Sequence, residues 1–401
     1  MKVKEILKPS FWKVVSVIIV TMGLYSTYLR FSRGLGATTN LHDSVPWGLW
    51  IGFDFIGVGL AAAGFTIAAT VHIFNIHKYE PLVRPAILTA FLGYSVVVCL
   101  LLVDLGRPEN FWHPLVMWNI HSVMFEITWC IICYSTVLLL EFAPVILEKF
   151  KLKAPIKLLK IISIPVVIAG VIFSTLHQSS FGSLYLIVPG KLHPLWYSSL
   201  LPIHFFVSCV AAGLSMIIFE SYLIARGCTK ENGFCNTGLK INILSGAAFV
   251  VWIALIAGLL LKIYDFVNND KLGYLIIPSM ETSLFYLEIV IGTITPIYLL
   301  SYKKSREDKK WLYVISVCVI SGLILNRLNV SITGLVASSG ANYFPSFDEI
   351  SITMMLVVIA MFVFRLIAKN FSVFINEESV EQAIVQNDNK SKRIILGEQY
   401  D

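Results

Sequence analysis

Ten separate stretches of this chain stay apolar over the length that a lipid bilayer demands, at about residues 10–29, 47–76, 83–105, 117–143, 156–176, 196–226, 240–268, 282–302, 311–330 and 348–369. The hydrocarbon core of a membrane takes roughly 20 apolar residues per helix. Backbone polar groups must be satisfied inside each such segment, so an isolated apolar run of this length is read as a spanning α-helix. With 57% hydrophobic and 14% charged residues, and a mean hydropathy of +0.77, the sequence excludes a soluble globular domain of 401 residues. The expected fold is an all-α polytopic membrane protein over residues 1–370, followed by a polar tail at 371–401 that has lost apolar periodicity and reads as a mobile cytoplasmic extension.

Orientation follows from the positive charges, because Lys and Arg flanking spans are retained on the cytoplasmic side. An even number of spans puts both termini on one side. That side, with the even-to-odd connections, carries 24 of the 31 Lys and Arg residues, against 7 elsewhere. Both termini are therefore expected in the cytoplasm. The clusters Lys149, Lys151, Lys153, Lys157, Lys160 and Lys303, Lys304, Arg306, Lys309, Lys310 serve as topology anchors. Lys2, Lys4 and Lys8 precede the first apolar run, but no small-residue cleavage site follows it, so a retained first helix is expected.

The outer connections, around 30–46, 106–116, 177–195, 269–281 and 331–347, are long and rich in Gly, Pro and aromatic residues, whereas the inner ones are mostly short and basic. Long loops gathered on one face build a site or a docking surface. A faint repeat is also present. Trp47, Ala62, Ala63 and Gly64 recur as Trp196, Ala211, Ala212 and Gly213, at a constant offset of 149 residues. This spacing predicts two related four-helix bundles, spans 2–5 and 6–9, flanked by spans 1 and 10. Gly57, Ala61, Gly64 and Ala68 form a smooth stripe along the second span, which lets a neighbouring backbone approach.

An ionisable side chain within the hydrocarbon costs at least ~2.5 kcal/mol on insertion scales, so each one calls for a reason. Asp54, Glu126 and Glu288 are expected about 9–14 Å below the outer ends of their spans. Tyr94 falls near the middle of the third span, Asp104 and Arg107 mark its outer end as an expected structural pair, and Glu220 stands near the inner end of the sixth. Six of the eight histidines, His42, His113, His121, His177, His193 and His204, fall toward the outer face, and only His72 and His77 toward the inner.

The break at His177, Gln178, Ser179, Ser180, Phe181 and Gly182 is expected where an apolar helix meets water. An imidazole and an amide there suit a quinone headgroup, whose carbonyl oxygens accept hydrogen bonds and whose reduction needs two protons. His177, Gln178, Glu126, Asp54 and Tyr94 are the candidate quinone-binding residues, with His121 and His204 behind them. Glu126, Glu220 and Glu288 are the candidate proton path.

The seven cysteines, Cys99, Cys130, Cys133, Cys209, Cys228, Cys235 and Cys318, form no ferredoxin-like run. Cys130 and Cys133 make a CxxC inside an apolar span and are read as core. There is no phosphate-binding loop or dinucleotide fingerprint. His72 and His204 sit toward opposite membrane faces and cannot share a haem iron, which leaves outer-side His121, His177 and His204 as the conceivable haem pairing, a disfavoured one. The expected chain thus has no haem, iron–sulfur cluster or metal of its own, and electrons must reach it from another subunit. Buried acids alone would also allow a secondary transporter, but its site would sit near the midplane, whereas these polar residues crowd toward one face. A mere anchor would need neither the acids nor the histidines.

The segments Arg30-Phe-Ser-Arg-Gly-Leu-Gly-Ala, Val45-Pro-Trp-Gly-Leu-Trp-Ile-Gly-Phe-Asp54, Asp104-Leu-Gly-Arg-Pro108, Ser174-Thr-Leu-His-Gln-Ser-Ser-Phe-Gly182, Arg327-Leu-Asn-Val-Ser-Ile-Thr-Gly334 and Tyr343-Phe-Pro-Ser-Phe-Asp-Glu349 resemble the NrfD/PsrC superfamily, across about residues 25–370. The ten-span form is most similar to its HybB-like branch, which belongs to periplasmic nickel–iron hydrogenases. The resemblance implies a haem-free quinone oxidoreductase subunit in the bacterial inner membrane, its functional face periplasmic. It implies a docked four-cluster ferredoxin-like iron–sulfur subunit, Ni/Fe hydrogenase large and small subunits, reduction of menaquinone or ubiquinone, and possible proton translocation. Lipid is the other partner, and nucleic acid is none. The family's functional groups carry over onto Glu126 and His177, onto Tyr94 and Asp54, and onto Glu220 as an inner proton group. Phe181 departs from the leucine usual before the glycine. Other ten-span relatives serve molybdopterin or multihaem enzymes, and that alternative stays open.

Overall fold

A computed structural model describes residues 11–187, 190–227, 241–340, 342–371 and 373. Ten helices are long and apolar enough to cross a membrane: α1 Phe11–Arg33, α2 Leu49–Ile73, α3 His77–Asp104, α4 Val123–Lys149, α5 Lys153–Leu186, α6 Leu201–Arg226, α7 Ile241–Asn268, α8 Met280–Ser301, α9 Lys309–Ser339 and α10 Phe347–Asn370. The chain is an all-α polytopic membrane protein. The basic residues before Phe11, Cys228, Cys235 and the tail from 374 onward lie outside the described residues.

Three boundaries depart from expectation, each for a physical reason. Helix α5 does not stop at 176 but runs to Leu186, and α9 runs past 330 to Ser339, so the outer connections shrink. The polar residues that read as a helix end turn inward instead: His177, Gln178 and Ser180 are buried and find partners on neighbouring helices rather than in water. Helix α4 starts later than the expected 117, at Val123, because Ser122 caps it, its Oγ accepting from Phe125 N–H. The preceding Trp112–Ile120 segment holds only the short helix His113–Val116.

Helices α2 to α5 pack around one another, as do α6 to α9, and α1 pairs with α10 against the α3 side. The two groups join mainly where α6 crosses α2 and α5. At the first crossing the repeated small residues meet each other: a Cβ on Gly213 would land on the backbone of Ala62 and Ala63. Gly182 lies equally hard against Pro202, which sets the contact of α5 with α6, and Gly292 against Gly322, which joins α8 to α9. Without a hydrophobic drive between helices in lipid, such backbone approaches carry association through dispersion contacts.

The outer end of α3 is held differently from expectation. Arg107 is exposed, and buried Arg30 of α1 instead donates through Nε to Val103 O at 2.8 Å and through Nη2 to Leu105 O at 2.6 Å. Orphan carbonyls at a helix end are thereby satisfied by a cation. On the same face, Glu349 of α10 accepts from Tyr343 Oη at 2.6 Å, Ser346 N at 2.8 Å and Asn40 N at 3.2 Å. This ties the 34–48 connection to the start of α10. Burial and the neighbouring Glu349 carboxylate push the Tyr343 phenol above its usual range, so it stays a donor. At the inner end the chain does not leave the body at once after α10: Val373 is buried among Ile87, Leu88, Phe142 and Val145, and Lys149 stacks over Phe371.

Candidate functional site

Helix α5 presents residues three and four apart on one face. His177, Gln178, Ser180, Phe181 and Tyr185 therefore point together into the space between α2, α3, α4 and α6. His177 has no exposed surface. Its Nδ1 lies 2.8 Å from Tyr94 Oη of α3, and its Nε2 is buried with no hydrogen-bond partner. If the phenol donates to Nδ1, the imidazole proton sits on Nε2 and makes that atom a free, aimed donor.

Aromatic side chains frame the imidazole. Phe181 stands 4.4 Å from it in a tilted contact, Tyr94 5.6 Å edge-on, and Phe55 of α2 lies 4.5 Å from Phe181, again tilted. Asp54, the residue before Phe55 on α2, is buried, and its Oδ1 has no partner. Gln178 bridges the two helix groups: its Nε2 donates to Val58 O at 2.9 Å and its Oε1 accepts from Cys209 Sγ of α6 at 2.6 Å. Ser180 Oγ donates to Glu126 Oε1 at 2.8 Å. Since α4 begins only at Val123, Glu126 lies in its first turn and is exposed, well above the depth expected for it. The structure thus brings His177, Tyr94 and Gln178 together inside, with Glu126 at the rim.

Glu288 and Glu220 lie apart from this cluster. Glu288, buried on α8, accepts from Trp196 Nε1 at 2.9 Å, Asn326 Nδ2 at 2.8 Å, Asn329 Nδ2 at 3.0 Å and Lys262 Nζ at 3.1 Å. Four donors hold it as a carboxylate, which argues for a fixed ionic node rather than a proton carrier. Beside it a cavity of about 100 Å³ is lined by His204, Ser208, Lys262 and Asn326 among smaller residues. The node continues toward the first cluster: Arg327 donates through Nη1 to Asn326 Oδ1 at 2.6 Å and through Nη2 to Ser208 Oγ at 2.8 Å, with Cys209 Sγ at 3.4 Å. Glu220, at the inner end of α6, accepts from Thr89 Oγ1 of α3 at 2.6 Å.

Sequence reasoning left out Lys262, Asn326, Arg327 and Cys209 as individual residues. The rule that found Asp54 applies equally to Lys262, a cation in the run Gly258–Leu261 and onward, and to Arg327. Lys262→Met is expected to destabilise the chain by about 3–5 kcal/mol, because it leaves Glu288 charged and unpaired inside the bundle. Thermal unfolding of the detergent-solubilised variant measures this, and adding Glu288→Gln should restore a good part of the loss. A double variant no more stable than Lys262→Met would refute the pairing.

The family model described as "Polysulphide reductase, NrfD" matches residues 37–338, which include every residue of the His177 cluster. The chain belongs to the NrfD family. It is 36% identical to a protein of Nitratidesulfovibrio vulgaris (strain Hildenborough) over 95% of this chain and 98% of the relative. It is 32% identical to the probable Ni/Fe-hydrogenase 2 b-type cytochrome subunit of Escherichia coli K12, covering 86% of each. It is also 26% identical to the menaquinone reductase integral membrane subunit of N. vulgaris, over 92% of this chain and 93% of that one. The family membership agrees with the motif resemblance, and the motifs at Asp54, Asp104, His177 and Arg327 all fall within the matched range.

Proposed function

We propose that this chain is the integral membrane, quinone-binding subunit of a respiratory complex, passing electrons from a docked iron–sulfur subunit to the quinone pool. The observation that carries the reading is His177 Nε2: a buried imidazole donor, oriented by Tyr94, with nothing to donate to. Polar groups buried without partners are rare and mark ligand sites. A quinone carbonyl is the acceptor that an apolar, aromatic-walled membrane site would select. The names of the E. coli and N. vulgaris relatives, a Ni/Fe-hydrogenase 2 subunit and a menaquinone reductase subunit, support the quinone and favour a nickel–iron hydrogenase as electron source.

In this reading the residues 1–370 form one membrane domain in the bacterial inner membrane, with two related bundles, both termini in the cytoplasm, and the His177 side facing the periplasm. The positive-charge asymmetry supports that orientation. A four-cluster ferredoxin-like subunit docks on the outer connections. Tyr94 holds the imidazole tautomer, Gln178 fixes the rotation of α5 against α2 and α6, and Ser180 with Glu126 forms the polar rim. The name of the E. coli relative raises a b-type haem, whereas the reading proposed here is haem-free. His72 and His204 stand toward opposite ends of their helices and cannot face one another across an iron, and the free His177 Nε2 is assigned to a quinone carbonyl.

The test is saturable binding of a short-chain menaquinone analogue to the purified chain, followed by quenching of tryptophan fluorescence. Binding that is lost in His177→Ala and weakened about tenfold (~1.4 kcal/mol) in Tyr94→Phe is expected, the latter because the imidazole tautomer is no longer held with its proton on Nε2. Absence of saturable binding in the unaltered chain overturns the reading.

A further inference from the structure

Reduction of a quinone consumes two protons along with two electrons, and the polar groups near His177 are arranged to deliver them from one direction. Below His177, one turn inward on α5, Ser174 is buried and its Oγ has no partner. Facing it from α4, Tyr134 is buried with its Oη close to Ser174 but outside hydrogen-bonding geometry, and equally unpartnered. The Tyr134 ring meets Tyr94 edge-on at 4.7 Å, so it continues the His177–Tyr94 pair. Gly64 of α2 leaves room beside it: a Cβ there would stand 3.4 Å from Tyr134 Oη.

Two turns further inward on the same helix is Glu141, about 10 Å along the axis from Tyr134. Its Oε1 faces Gly170 of α5, where a Cβ would lie 3.9 Å away. It accepts no hydrogen bond and forms no ion pair among the described residues, in contrast to Glu288, Glu220 and Glu148, each of which has a partner. A carboxyl within the hydrocarbon is costly, and one left without partners is not there for stability. Glu141 lies about 12 Å from the inner end of α4 at Lys149.

We propose that Glu141 is the inner proton donor of the His177 site, relaying protons through Tyr134 and Ser174, and bridging waters, from the cytoplasmic face. This rests on the quinone-reducing reading above. Per quinone, two electrons arrive from the iron–sulfur partner on the outer side and two protons from the inner side. Each of the two protons leaves His177 Nε2 for the quinone while Nδ1 takes one from Tyr94 Oη, so that His177 and Tyr94 act as one donor pair. They are reprotonated by way of Tyr134 and Ser174 from the Glu141 carboxylic acid, whose carboxylate then takes up a proton from the inner aqueous phase. Electrons and protons entering from opposite faces make the reduction electrogenic. Unpartnered polar atoms spaced along a buried face are the sites that waters of such a relay would occupy.

The experiment uses right-side-out vesicles of the native membrane with the whole complex, a trapped fluorescent pH dye in the lumen, external reduced methyl viologen as electron source and a short-chain menaquinone analogue as acceptor. The lumen is expected to turn alkaline in step with quinone reduction. Glu141→Gln should slow both by tenfold or more, Glu141→Asp should recover part of each, and Ser174→Ala should give an intermediate loss, with viologen oxidation by an artificial acceptor unchanged in all three. Quinone reduction without lumenal alkalinisation, or Glu141→Gln indistinguishable from the unaltered chain, overturns the proposal. No quinone reduction in the unaltered vesicles refutes the quinone reading instead. A Glu141→Gln chain that fails to assemble is separated by the Asp and Ser174 variants, and if both of those behave as the unaltered chain the relay is wrong.

Discussion

His177→Ala is expected to lower electron transfer to quinone by about 10²-fold or more, the scale of a positioned acid or hydrogen-bond donor at a reacting group. The complex should stay assembled, and dye-linked activity of its catalytic partner should not change. The argument rests on where the imidazole stands. Its ring is enclosed by Phe181 and Tyr94, so a smaller side chain leaves a space lined by aromatic groups rather than collapsing the helix contacts, which are made by Gly182, Gln178 and Phe55. Tyr94→Phe should have a smaller effect of the same kind: it removes the donor that fixes the tautomer but keeps the ring contacts with Tyr134 and His177. A His177→Ala complex that reduces quinone at the normal rate would move the site elsewhere in the chain. Purified complex assayed with a menaquinone analogue and, in parallel, with a soluble dye separates loss of the site from loss of assembly.

The span count and the helical class were legible because lipid imposes a length and a composition on every crossing segment, and no tertiary partner is needed to read them. The ends of α5 and α9 were not. Polar residues near an apolar boundary signal a helix end in water, yet the same residues signal an interior face when neighbouring helices supply partners. One-dimensional hydropathy cannot distinguish Gln178 facing solvent from Gln178 donating to Val58. The same ambiguity moved Glu126: its depth was measured from an apolar run that begins near 117, while the helix begins at the Ser122 cap. For the site, ionisable residues in apolar runs pointed correctly to Tyr94 and Asp54 as buried groups, whereas His177, expected where a helix meets water, is buried inside α5. They gave no means of separating Glu288, matched by four donors, from Glu141, matched by none. That distinction lives in distances between helices far apart in sequence, and Lys262, Asn326 and Trp196 reach Glu288 from three different elements.

The offset of 149 residues has a structural consequence that leads to a large expected loss of stability. Its two small-residue triplets lie on the helices that cross between the two groups, and Gly213 touches backbone, not side chain: a Cβ there would strike Ala63 N and Cα and Ala62 C. Backbone atoms in the middle of a helix cannot yield as the end of a flexible side chain can. Gly213→Leu should therefore drive α6 away from α2, breaking the Gln178–Cys209 contact and the α5–α6 approach at Gly182 along with it. A cost of about 3 kcal/mol or more follows from overpacking a closed contact. Gly64→Ala, the counterpart in the first triplet, meets the Ala90 Cβ at 2.7 Å, a tyrosine oxygen at 3.4 Å and the Ala86 carbonyl oxygen at 3.6 Å, so α3 must shift, but no backbone atom is struck as at Gly213 and the loss should be smaller. Gly273→Ala, with nothing within 4 Å, should leave stability unchanged. Thermal unfolding of the three variants in one detergent ranks them directly. A Gly213→Leu chain as stable as Gly273→Ala would mean that α2 and α6 do not cross at these triplets, and that the bridge from Gln178 to the second helix group is not what holds His177 in place.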